Sequence, residues 1–155
     1  MKANELMIGD WVLQCELNVP VKVRSIMCHY SDESIYFYHE ASEYISNVSK
    51  LDPIPLTIEI LEKIGYKFKY ICYEKEGYPA IELGSEEGTY NIGKVYFPYN
   101  NGDPDIHVFT TCKYVHELQH ALKLYGIEED IIYNKIRNLY GIGYEIVQPE
   151  TTKEV

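Results

Sequence analysis

The rhythm of residues 9–111 limits most strongly what this chain can fold into. Short stretches rich in Val, Ile and Tyr follow one another, each ended by a turn signal. GDWVLQC (9–15), PVKVRSI (20–26), SIYFYHE (34–40) and EYISNVS (43–49) come first. After a break come YKFKYICYE (66–74), YPAIELGS (78–85), TYNIGKVYFPY (89–99) and DIHVFTT (105–111). β-Branched and aromatic residues suit a pleated, half-buried surface. Asn18-Val19-Pro20 and Ser31-Asp32-Glu33 punctuate the first group; Glu76-Gly77, Glu87-Gly88 and Asn100-Asn101-Gly102-Asp103 punctuate the second. Strands this short, this close and joined by such turns predict antiparallel pairing.

The break is LDPIPLT (51–57), whose two prolines bias the residues before them to extended backbone. It divides the chain into an expected β unit over 1–52 and an α+β unit over 53–155. The first unit is expected to be an SH3-like small β-barrel, built from four or five short strands in about 45 residues. The second is expected to begin with a helix capped by Thr57, stapled by Leu56 and Leu61 and ended by Gly65. An antiparallel meander follows, then two C-terminal helices. One runs from about Thr111 to Tyr125 and stops at Gly126. The other runs from Glu128 to Leu139, with acids at its start and Lys135 and Arg137 near its end, as the helix dipole prefers. The fold class read from this is α+β.

A chain of 155 residues, 46% apolar and 25% charged, can bury a core without disulfides. Cys15, Cys28, Cys72 and Cys112 form no CxxC pair and read as reduced thiols. No apolar run approaches a membrane span, and MKANELMIGDWV lacks the apolar core of a secretory signal. A cytoplasmic protein without membrane contact is the expectation. The formal charge of −10 repels nucleic-acid backbones and suits a basic protein partner. Tyrosine occurs 16 times, and a large apolar body with a polar tip favours half-buried strands and interfaces.

KYVHELQHALKLYG (113–126) contains His116-Glu117-Leu118-Gln119-His120, which fits HExxH. Two His four apart on a helix share a face and can both ligate zinc, while the Glu between them activates metal-bound water. A catalytic zinc needs a third protein ligand. The metzincin positions hold Lys123 and Gly126, and Asn134, Lys135, Arg137 and Asn138 on the following helix include no acid. His107 and Glu145 are non-standard candidates. The simpler expectation is a structural helix: Val115, Leu118, Leu122 and Tyr125 form a core stripe, with His116, His120 and Lys123 on an adjacent half-exposed face.

Other constellations are weaker. Cys112 stands four before His116 near a helix start, where a thiol pKa should fall, but no orienting group or oxyanion hole is apparent. Cys15, Cys28, His29 and His39 match no zinc-ribbon or finger spacing. NNGDPD (100–105) lacks the ligand series of a calcium loop and reads as a turn. There is no Walker loop, GxGxxG or GxSxG. IYFYHEASEY (35–44) offers Tyr36, Tyr38 and Tyr44 as a protein-contact patch, or as ordinary core.

LMIGDWV, PVKV, PIPLTIEILEKIGYK and KYVHELQHALKLYGI form an ordered series over about residues 5–127. It resembles a family of small uncharacterised proteins frequent in Bacteroides-type gut bacteria and their phages. The resemblance carries no activity. It implies variation at the positions matching Glu117 and His120, with Gln or Asn in some members, which weakens a catalytic role for them. The expected function is a non-enzymatic protein-interaction module with an acidic, Tyr-rich surface and no cofactor. One version of it is a phage protein that mimics DNA. The competing expectation is a zinc metallopeptidase with His116 and His120 as ligands and Glu117 as general base.

Overall fold

The structure, a computed structural model, describes residues 5–16, 18–28, 35–39, 42–97 and 103–127, with residues 27–28, 35–39 and 42–46 given by backbone alone. It is mostly β. Strands β1 (Trp11–Gln14), β2 (Val19–Cys28), β3 (Ile35–His39), β4 (Ser42–Asn47) and β5 (Leu51–Pro53) form a sheet in the order β4-β3-β2-β1-β5. Strands β6 (Lys67–Lys69), β7 (Cys72–Glu74), β8 (Ala80–Leu83), β9 (Tyr90–Tyr96) and β10 (Asp105–Cys112) form a second sheet in the order β10-β9-β8-β7-β6. Two helices accompany them among the described residues, α1 (Ile58–Lys63) and α2 (Val115–Leu124).

The closed SH3-like barrel is not what forms. The first sheet is open: β4 and β5 stand at its two ends, and no ladder joins them. Its end strand β5 is three residues long and pairs only with β1, through Val12↔Pro53, Leu13↔Asp52 and Gln14↔Leu51. Pro53 has no N–H, so it contributes no donor to a ladder on either side. Nor do the described residues of the expected α+β unit divide evenly between helix and strand. α1 spans six residues and α2 ten, against five strands in the same half. The helix expected over 128–139 and the strand at YEIVQ lie outside the described residues.

Local sequence explains most element ends. Thr57 caps α1, its Oγ1 accepting from the Ile60 N–H at 3.3 Å. Leu56 before the cap and Leu61 inside the helix are both buried, as a hydrophobic staple requires. Gly65 ends the helix at φ +100°, a conformation that glycine adopts without steric cost. The segment 66–74 is not one strand but a hairpin, Lys67↔Glu74 to Lys69↔Cys72, turning at Tyr70 with φ +59°. Positive φ at a tyrosine carries no turn signature in sequence, which hides this corner.

The main core lies between the second sheet and the two helices. Ile54, Leu56, Leu61, Ile64, Ile81, Ile92, Val115, Leu118 and Leu122 are buried there, and Trp11 of β1 joins them from the first sheet. A smaller cluster of Leu6, Val12, Val21, Val23 and Leu51 fills the first sheet's inner face. The proline joint ties the two together. Pro55 bridges Tyr114, with Leu56 N–H donating to Lys113 O and Val115 N–H to Ile54 O, each at 2.9 Å. The joint is thereby sewn to the first residues of α2.

Candidate functional site

α2 carries the HExxH string, and each polar residue of that string has a local job. The first turn of a helix leaves its N–H groups without intrahelical partners. Glu117 reaches back to them: its Oε2 accepts from Lys113 N–H at 2.6 Å and Tyr114 N–H at 3.0 Å. This is the Glu half of a capping box, placed three residues after the cap Tyr114. An oxygen held by two amides is engaged in structure rather than directed at a water.

His116 is buried, not half-exposed as its place beside the core stripe suggests. Its ring stacks on Tyr114 at 5.8 Å and 7° and meets the His120 ring edge-on at 5.9 Å. Its Nδ1 has no hydrogen-bond partner among the described residues. Burial pushes its pKa below the usual 6.5, and His120 pushes the same way, while Asp10, Glu117 and Glu5 pull it back. The neutral ring is therefore favoured.

His120 turns toward β1. Its Nε2 lies 2.9 Å from both carboxylate oxygens of Asp10, whose side chain is fully buried. The tautomer carrying hydrogen on Nε2 satisfies this contact. Met7 N–H also donates to Asp10 Oδ2 at 2.7 Å, so the buried carboxylate has partners from two directions. Gln119 completes the junction: Trp11 N–H donates to its Oε1 at 2.9 Å, and its Nε2 donates to Gly9 O at 3.2 Å. Lys123 Nζ approaches Ile8 O at 3.5 Å. The sequence pieces IGDW and ELQH thus form one polar seam between the first sheet and α2. Asp10 and Gln119 escaped the sequence reading because each is a polar residue in or beside an apolar run with no motif of its own.

The third ligand of a zinc centre is not assembled among the described residues: no three His, Cys, Asp or Glu side chains there converge in a way that could hold a metal ion. His107 is exposed on β10, its ring 5.7 Å from Phe109. Glu145 lies outside the described residues. Cys112 is buried, and its pKa is pushed up to about 12 by burial and then by Glu117, the reverse of the expected fall. It starts no helix, because α2 begins three residues later. Cys15 is exposed, its Sγ bonded to Asp52 Oδ2 at 3.1 Å. His29 and the first half of NNGDPD lie outside the described residues, as do the side chains of Cys28 and His39. Tyr36, Tyr38 and Tyr44 are placed by backbone alone, on β3 and β4, and their side chains are likewise outside the described set.

A second surface was not foreseen. β10 is an end strand of its sheet, and six of its eight residues are exposed. Phe109 on it is 51% exposed, and Tyr96 and Phe97 at the end of β9 are 47% and 64% exposed. Tyr125, just past α2, stacks on Phe109 at 6.1 Å and 27°. A shallow pocket lined by Lys94, Tyr96, His107 and Phe109 connects them. Tyr125 was expected in the core stripe; as the capping residue after α2 it swings out onto this face.

No helix among the described residues is long and apolar enough to cross a membrane. No protein-family model, curated protein or solved structure matches the chain.

Proposed function

We propose that this chain is a non-enzymatic protein-interaction module that docks a partner on the aromatic face around β9 and β10. The observation that carries the reading is the exposed cluster of Tyr96 on β9, Phe109 on the end strand β10 and Tyr125 just past α2. Contiguous exposed apolar surface costs solubility and marks contact sites. Aromatic side chains bring large contact area at low entropy cost, which is why they are enriched where proteins bind. The net charge of −10 disfavours nucleic acid, since phosphate contacts supply most of that affinity.

Two facts weigh against the zinc-peptidase alternative. Glu117 holds the helix start through two backbone amides, and His120 is bonded to the buried Asp10. Each contact commits a named atom, Glu117 Oε2 and His120 Nε2, to the fold, and among the described residues no third ligand joins His116 and His120.

The test is a photo-crosslinking residue placed at Phe109, compared with one at the exposed Glu62 of α1, in cells that naturally make the protein. A discrete adduct from position 109 and none from position 62 is the expected result. No adduct at 109, or the same adducts from both, removes the reading.

A further inference from the structure

The aromatic face runs on into a groove of opposite electrostatic character to the chain as a whole. The groove holds about 590 Å³ and is edged by Lys67, Lys69, Lys75 and Lys94, with Phe68, Tyr78 and Tyr125 among its walls. Ala80, Gly93 and Val95 also line it. A Cβ on Gly93 would stand 2.3 Å from His107 O, so the position admits no side chain.

The lysines differ in their commitments. Lys69 pairs with Glu74 at 3.3 Å, and Lys75 lies over the Tyr78 ring at 3.7 Å. Lys67 and Lys94 have no ion-pair partner among the described residues, and both are exposed. Four lysines against Glu74 and Glu76 leave the groove locally positive, in a chain whose formal charge is −10.

We infer that this groove takes an acidic peptide segment in extended form, its carboxylates meeting Lys67 and Lys94 and its apolar side chains meeting Phe68 and Tyr125. The inference rests on the interaction-module reading and assigns that module's partner a chemistry. The whole-chain charge alone points to a basic partner; the local sign reverses this where the aromatic side chains are. Charge complementarity at short range decides which partner docks, because charges beyond about 8 Å are largely screened at physiological salt. A peptide fits better than a nucleic acid. Two uncommitted ammonium groups neutralise only about two phosphates, too few for useful affinity where phosphate contacts supply most of it.

Fluorescence anisotropy on the full chain tests this with three labelled probes. They are a ten-residue peptide of alternating Glu and Tyr, its alternating Lys and Tyr counterpart, and a ten-nucleotide oligothymidine. The acidic peptide is expected to bind at least tenfold more tightly than the other two. Joint Lys67→Glu and Lys94→Glu substitution, at exposed positions that leave the core intact, is expected to weaken it at least tenfold. Equal or tighter binding of the basic peptide or of the oligothymidine overturns the inference. So does acidic-peptide binding that survives charge reversal, and so does failure of all three probes to bind. The crosslink at position 109 reads independently of these probes. An adduct there with no acidic preference here leaves the interaction module standing and removes only its acidic partner.

Discussion

Asp10 and His120 are 110 residues apart in sequence, yet the Nε2 of His120 lies 2.9 Å from both oxygens of the buried Asp10 carboxylate. This contact joins the first sheet to α2. Removing one member of a buried pair leaves the other uncompensated, so Asp10→Ala and His120→Ala should each cost about 3 kcal/mol. The double variant should lose clearly less than the sum, because the two share one interaction. Urea unfolding of the four proteins measures it. Additive losses would show that the pair does not hold the seam.

His116 makes stability depend on pH. Its folded pKa lies below the unfolded value of 6.5, chiefly through burial. Below that value the unfolded chain binds more protons than the folded one, so stability falls as pH falls through it, and goes on falling until the folded pKa is passed. Above it the contribution is fully present. His116→Phe keeps an aromatic ring against Tyr114 and removes the titration. The variant's unfolding midpoint should therefore fall less than the wild type's when pH drops from about 7.5 to about 5.5. Parallel profiles for the two proteins would rule His116 out as the titrating group.

Gly93 pairs with Val108 across β9 and β10, beside the His107 carbonyl and next to the register shift between Val108 and Thr110. A Cβ on residue 93 would meet His107 O at 2.3 Å, and a backbone atom cannot swing aside as a side-chain tip can. Gly93→Ala should destabilise by about 2 kcal/mol and loosen β10 first. Amide exchange resolved by residue would show it as lost protection at Ile106–Thr111 with β7 and β8 unchanged. Uniform loss across the second sheet would mean that the close approach is not local.

The parts of this fold that could be read in sequence are those whose cause is local. Thr57, the Leu56–Leu61 staple and Gly65 define α1 within ten residues, and turn residues bracket β8 and β9 and precede β10. What failed depends on distant partners. Whether β4 and β5 close into a barrel is decided by strands that the sequence does not pair, and Tyr70 turns a chain that spells a continuous strand. His116 looks half-exposed on a helical wheel. It is buried because Tyr114 and His120 close over it, and His120 is itself turned by Asp10 from the far end of the chain. HExxH is a local string, so it is legible. That its residues serve a cap and a seam is not.

Thiol reactivity should follow burial. Burial raises the pKa of all three thiols, with Asp52 adding to it at Cys15 and Cys112 pushed to about 12, so access decides between them: Cys15 is exposed, whereas Cys72 and Cys112 are buried. The thiolate is the reactive form. Iodoacetamide at neutral pH should label Cys15 well before Cys72 or Cys112, read by peptide mass spectrometry, and denaturant should erase the difference. Early labelling of Cys112 would instead revive it as a nucleophile beside His116.

The two readings of HELQH differ over Glu117. As a cap it accepts from Lys113 and Tyr114 amides, a task the neutral carbonyl of Gln can take over with some loss to the helix dipole. Glu117→Gln should therefore cost about 0.5 kcal/mol and Glu117→Ala about 1 kcal/mol. Thermal unfolding ranks them as wild type, Gln, Ala. A ligand that binds only the folded state raises its melting temperature by mass action, so zinc in about tenfold excess discriminates further. On the capping reading, zinc leaves the melting temperatures and their order unchanged. If zinc instead raises the wild-type melting temperature and His120→Ala cancels the rise, the helix is a metal site. The interaction-module reading would then have to share the chain with zinc chemistry.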